Sequence, residues 1–129
     1  MADELQSRGL RPFTIVHPRA IIGPETTLEP GCVVLGGAHV SSSVTLARHV
    51  QVNYNATVGH DAVLEEFATV LPGANVAGTT HIGAAAAIGS NACVLQGLAV
   101  GAGAVVGAGA VVTRNVPSAV VAKGVPARW

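Results

Sequence analysis

The feature that most constrains this 129-residue chain is a period of six. Written from Val16, the sequence divides without a gap into seventeen hexads: VHPRAI, IGPETT, LEPGCV, VLGGAH, VSSSVT, LARHVQ, VNYNAT, VGHDAV, LEEFAT, VLPGAN, VAGTTH, IGAAAA, IGSNAC, VLQGLA, VGAGAV, VGAGAV and VTRNVP, ending at Pro117. The first position is Val, Ile or Leu in every hexad. The fifth is Ala, Thr, Cys, Val or Leu, and usually Ala. Positions two to four are rich in Gly, Pro, Asn and Ser. An amphipathic helix needs an apolar period near 3.6 and cannot hold this register.

Such a period predicts a stack of short parallel strands joined by tight corners, a hexapeptide β-helix. Each hexad forms one flat side, and three sides make a triangular coil of eighteen residues. The first-position aliphatic points inward, and the fifth-position residue sits near a corner where only a small side chain fits. Seventeen hexads give about 5.7 turns and a prism about 27 Å tall at about 4.8 Å per turn. The expected organisation is an N-terminal segment and connector over 1–15, the coil over 16–117, and a C-terminal cap over 118–129 with a short apolar strand. Asp3 to Arg8 reads as a short helix ending at Gly9.

Composition agrees with a narrow interior. Half of the chain is apolar, yet aromatics are 3% and charged residues 11%. That excludes a charge-rich disordered tail and a conventional core of large side chains. Ile82 to Thr113 has no charged residue and contains G-x-x-x-G spacings such as Gly97 to Gly101. Its length suggests a membrane span, but the aliphatics keep the hexad spacing, so no membrane insertion is expected. The formal net charge of zero gives no pull toward nucleic acid. All seven acids lie between Asp3 and Glu66, and beyond Phe67 the only charges are Arg114, Lys123 and Arg128. This mildly basic half favours an anionic ligand. Cys32 and Cys93 make no disulfide framework. Met1-Ala-Asp-Glu lacks the basic-then-apolar pattern of a leader, so a cytoplasmic setting is expected.

A repeat built for packing should be chemically dull, so misplaced polar residues stand out. The densest group is Asn53, Tyr54, Asn55, His60 and Asp61 in VNYNATVGHD. His60 and Asp61 occupy the third and fourth positions of their hexad, the exposed corner. A corner histidine beside a carboxylate suits a general base oriented by its neighbour; the alternative is a histidine that merely decorates a turn. Gly78 follows His60 by eighteen residues, one full coil, so it should stack above it. There its N–H can face a developing oxyanion, unless it is simply one more corner glycine. A metal site is not expected: His39, His60 and His81 are spaced by 21 and drift around the prism. His17, before Pro18, reads as structural, and His49 and His81 as solvated corners.

With the hexads and NYNATVGHD, the stretch TIVHPRAIIGP, the segment EEFATVLPGANVAG and the exit VVAKGVPAR, the chain resembles the bacterial hexapeptide sugar acyltransferases. The closest pattern is the sialic acid O-acetyltransferase and nucleotide-amino-sugar N-acetyltransferase type, over about Pro12 to Arg128. The resemblance implies an all-β, single-stranded left-handed parallel β-helix, closing as a homotrimer. It implies an acetyl-CoA-dependent acyltransferase that acylates an amino or hydroxyl group of a sugar-like small molecule by direct attack. His60 is then the general base, Asp61 the acid that orients it, and Asn53 a contact to the acceptor. Gly78 faces the thioester carbonyl, while Ala87, Gly107 and Ala108 line the groove for the pantetheine arm between two subunits. The family often has a second histidine where this chain has Thr69, and an α/β domain that grips the nucleotide sugar. Here ADELQSRGLRPF looks like the last helix and connector of such a domain. The competing readings are a non-catalytic trimeric scaffold or binding module and, less favoured, a relative of the γ-type carbonic anhydrases.

Overall fold

The computed structural model describes all 129 residues. After a short helix, α1 (Ala2–Ser7), the chain coils as a triangular prism of two-residue strands. The first side carries Ile15–Val16, Val33–Val34, Gln51–Val52, Thr69–Val70, Ala87–Ile88, Val105–Val106 and, last, Val121–Ala122. The second side runs from Ile21–Ile22 to Val111–Val112 in six strands, and the third from Thr27–Leu28 to Ala99–Val100 in five. Every pairing within the hexads is parallel and joins residues eighteen apart, as Gln51 to Thr69 and Val52 to Val70.

The hexad dictates this geometry. The sixth and first residues form each strand, the sixth pointing out and the first in. Thus Val34, Val40, Leu46, Val52 and their successors are buried. Fifth-position residues from Cys32 to Val116, mostly alanines, fill the corners from inside, and these two columns, without Thr80 and Leu98 but with Ala122 and Ala127, make the 29-residue core. Identical small side chains stacked at each level leave no room for aromatics.

The corners obey turn chemistry. From Glu25 to Gly109, the fourth residue of each hexad is left-handed, with φ between 55° and 88°. Hence Gly and Asn recur there, and Pro-Gly stands at 30–31 and 72–73, the pairing a type II turn prefers. The third-position N–H takes no part in the backbone ladder. Proline, which has no N–H, therefore occupies that position at 18, 24, 30 and 72 without loss.

The two ends differ. Val16 remains 43% exposed and Ile22 and Leu28 half-buried, so the first coil is open. At the other end Val121–Ala122 joins the first side against Val105–Val106, an offset of sixteen residues instead of eighteen. Shortening the last coil in this way draws the chain over the prism and buries Ala122 and Ala127. No helix is long and apolar enough to cross a membrane.

Candidate active site

The edge between the second and third sides carries Gly59, His60, Asp61 and Ala62 on one coil and Ala77, Gly78, Thr79 and Thr80 on the next. Local backbone chemistry fixes both levels. A β-carbon on Gly59 would overlap the Gly78 amide nitrogen, so the coils approach this closely only with glycine. The Thr79 N–H donates to the His60 carbonyl at 2.8 Å, and the Asp61 N–H donates to Ser42 O at 3.1 Å. Asp61 takes the left-handed φ of 58°, which a short carboxylate side chain tolerates.

On this frame the Asp61 carboxylate Oδ2 lies 2.7 Å from His60 Nδ1. A carboxylate only accepts, so Nδ1 is the donor in this contact, and in the neutral ring that tautomer leaves the lone pair on Nε2. Nε2 faces Gly78: a β-carbon on that glycine would sit 2.7 Å from it. The Gly78 N–H is a third-position amide with no partner. Both His60 and Asp61 are more than half exposed, so a ligand reaches them directly. The arrangement can take a proton at Nε2 and stabilise negative charge at an adjacent amide. The fold itself offers a precedent for the second role. Third-position amides on the edge between the third and first sides hold carboxylate oxygens, Arg48 N–H on Glu29 at 3.1 Å and Ala84 N–H on Glu65 at 2.9 Å.

The remaining predicted residues lie elsewhere on the prism. Asn53 is on the edge between the first and second sides and donates from Nδ2 to Val70 O at 3.1 Å. Gly107 and Ala108 are on that same edge, three coils further along, and Ala87 is half-buried on the outer face of the first side. Thr69 lies on that face too, between Gln51 and Ala87. One chain thus brings together His60, Asp61 and Gly78, and sets Asn53, Ala87, Gly107 and Ala108 apart as a second group.

Two histidines depart from the sequence expectation of solvated corners. His49 stacks on Phe67, with ring centroids 4.9 Å apart and an interplanar angle of 9°. The stack borders a cavity of about 310 Å³ with Met1, Leu5, Leu10 and Arg11, on the edge between the third and first sides. Arg48 also anchors α1 there, donating to Gln6 Oε1 at 3.1 Å. His81 is not a corner residue: it opens a strand, and its Nε2 lies 2.6 Å from Glu65 Oε1. That contact, with the Ala84 N–H, holds the Glu65 carboxyl below the usual carboxylate range. His17 is structural, its Nδ1 accepting the Arg19 N–H at 3.1 Å. No three His, Cys, Asp or Glu side chains gather as a metal-holding group.

No protein-family model and no curated protein sequence matches the chain. Solved structures do. A point variant of perosamine N-acetyltransferase from Caulobacter crescentus, in complex with CoA and GDP-perosamine, aligns with TM-score 0.97 and 31% identity over 98% of this chain and 60% of that one. The acetyltransferase domain of PglB from Neisseria gonorrhoeae aligns with TM-score 0.96 and 35% identity over 98% of this chain and 62% of that one. The chain has the left-handed β-helix of the hexapeptide-repeat acetyltransferases. It spans about three-fifths of the length of these acetyltransferase structures. A UDP-N-acetylglucosamine O-acyltransferase from Moraxella catarrhalis shares the fold at TM-score 0.70 and 19% identity, over 90% of this chain and 52% of that one.

Proposed function

We propose that the chain is an acetyl-CoA-dependent acyltransferase acting on an amino or hydroxyl group of a sugar-like acceptor. The observation that carries this reading is the His60 imidazole, with Asp61 on one nitrogen and the unpartnered Gly78 amide beside the other. Two structural relatives support it: the PglB acetyltransferase domain in complex with acetyl coenzyme A and the Caulobacter enzyme in complex with CoA and GDP-perosamine. The acceptor nitrogen or oxygen forms a bond to the thioester carbonyl carbon while His60 Nε2 takes its proton. The Gly78 N–H donates to the oxygen that gains the carbonyl electron pair. When the carbonyl re-forms, the carbon–sulfur bond breaks and the imidazolium returns its proton to the leaving thiolate, giving acylated acceptor and free CoA thiol. Asp61 keeps the imidazole in the tautomer that accepts at Nε2. No covalent acyl-enzyme is needed, because holding both reactants together supplies much of the rate.

The separation of the predicted residues into two groups supports a homotrimer as the working unit. In a closed ring, the edge bearing Gly107 and Ala108 of one copy meets the His60 edge of the next. The donor arm then lies in the crevice between them. Release of CoA thiol with an amino-sugar acceptor measures the activity. His60→Ala is expected to lose about 100-fold or more in turnover with its melting temperature unchanged. Undiminished turnover removes the proposed base. A protein that binds no CoA at millimolar concentration is instead a non-catalytic scaffold.

A further inference from the structure

The His60 edge continues beyond Gly78. Gln96 and Arg114 are the next third-position residues in the same column, because Val76, Val94 and Val112 pair coil on coil. At about 4.8 Å per coil, Arg114 stands about 10 Å above Gly78. Its side chain is exposed and makes no ion pair. The guanidinium carbon lies 4.5 Å from the centre of the Trp129 ring. A guanidinium held over an indole face is positioned by that contact while its N–H donors stay available to a ligand. No acidic side chain follows Glu66 in the sequence.

We propose that Arg114, braced by Trp129, grips the phosphates at the nucleotide end of the acyl donor. This rests on the acyltransferase reading. Distance supports the assignment. The arm of CoA from sulfur to the first phosphorus has thirteen chain bonds, equivalent to about 15 Å when extended at about 3.5 Å per three bonds. With the thioester at Gly78, an arm running up this edge passes Gln96 and delivers the phosphates to the level that an arginine side chain reaches from 114. A planar guanidinium suits phosphate oxygens in paired hydrogen bonds, and the stack reduces the side-chain freedom lost on binding.

Calorimetric titration of the full chain with CoA, and separately with pantetheine, which lacks the nucleotide and its phosphates, tests the assignment. Wild-type protein should bind CoA the more tightly. Arg114→Ala should weaken CoA about ten-fold and leave pantetheine unchanged, and Arg114→Lys should recover part of the loss. Trp129→Leu should show a smaller loss confined to CoA. Added salt should weaken CoA in the wild type more than in Arg114→Ala. Equal weakening of both ligands, or none, in Arg114→Ala overturns the assignment while leaving the donor reading standing. Wild-type protein that binds neither ligand overturns the donor reading, and this assignment falls with it.

Discussion

Replacing Gly59 by Ala separates backbone crowding from every other use of glycine in this coil. Gly59 does not have a positive φ, so alanine fits its conformation. The added carbon instead meets backbone of the next coil: it would overlap Gly78 N and lie 2.7 Å from Ala77 C and 2.8 Å from Gly78 Cα. Backbone cannot swing aside as a side-chain tip can, so the coils must part locally, at about 2 kcal/mol. Gly103→Ala is the matched comparison. A carbon there meets nothing within 4 Å, but φ is +66°, so the cost of about 1 kcal/mol is conformational alone. With about 2.1 cal/mol/K per residue, unfolding of a 129-residue chain has an entropy near 0.27 kcal/mol/K. The expected falls in melting temperature are then about 7 °C for Gly59→Ala and about 4 °C for Gly103→Ala. Both are measured by thermal circular dichroism at one protein concentration. Turnover should divide the variants further. Moving the Gly78 amide about 1 Å from its place over His60 should cost about 100-fold, whereas Gly103 lies on another edge. If Gly59→Ala melts no lower than Gly103→Ala and keeps full turnover, the crowding argument fails, and with it the use of Gly78 as a fixed donor.

Two further outcomes follow from the fold. The Glu65 carboxyl is held low by His81 and the Ala84 N–H, so its contribution is complete above the unfolded carboxylate pKa of about 4.3 and is lost as pH falls through the folded value. Glu65→Gln should therefore lose stability at neutral pH by less than about 1 kcal/mol, the pair being exposed, and the gap to wild type should close in acid. Denaturant titrations at pH 7 and pH 3 read this out, and a gap that widens in acid refutes it. Burial pushes the Cys32 thiol up, and its Sγ lies 3.1 Å from Ala47 O, while Cys93 is only half-buried on the second side. Iodoacetamide should label Cys93 in the native protein and Cys32 only on unfolding. Native labelling of Cys32 at a comparable rate, seen by mass spectrometry, contradicts the core assignment.

Most of the architecture was legible in the sequence because one rule governs it. Each interior residue from Cys32 to Val116 follows from its position in the hexad. The stacking of Gly78 on His60 follows from the same count of eighteen. The His49–Phe67 stack was legible in principle by that count, since both are fourth-position residues one coil apart. The general rule that a corner histidine faces water conceals it, because a ring one coil away covers the imidazole. The His81–Glu65 contact spans sixteen residues, a diagonal between a strand and a corner that a column count does not reveal. Asn53 precedes His60 by seven residues, just over one side of the triangle, which puts it on the neighbouring edge in one chain. Such a separation is invisible when motifs are read as contiguous letters. The bracing of Arg114 by Trp129 depends on how the shortened final coil folds back, and no hexad rule extends that far.

The idle amide at each third position gives the coil a form of switchable wiring. Proline at 18, 24, 30 and 72 blanks the terminal, and a neighbouring glutamate occupies it at 48 and 84. Glycine at 78 leaves it live and bare. Because the rungs are held by other atoms, a single substitution at any level can add or silence a contact point for negative charge without disturbing the scaffold. New chemistry can be installed on such a prism one rung at a time.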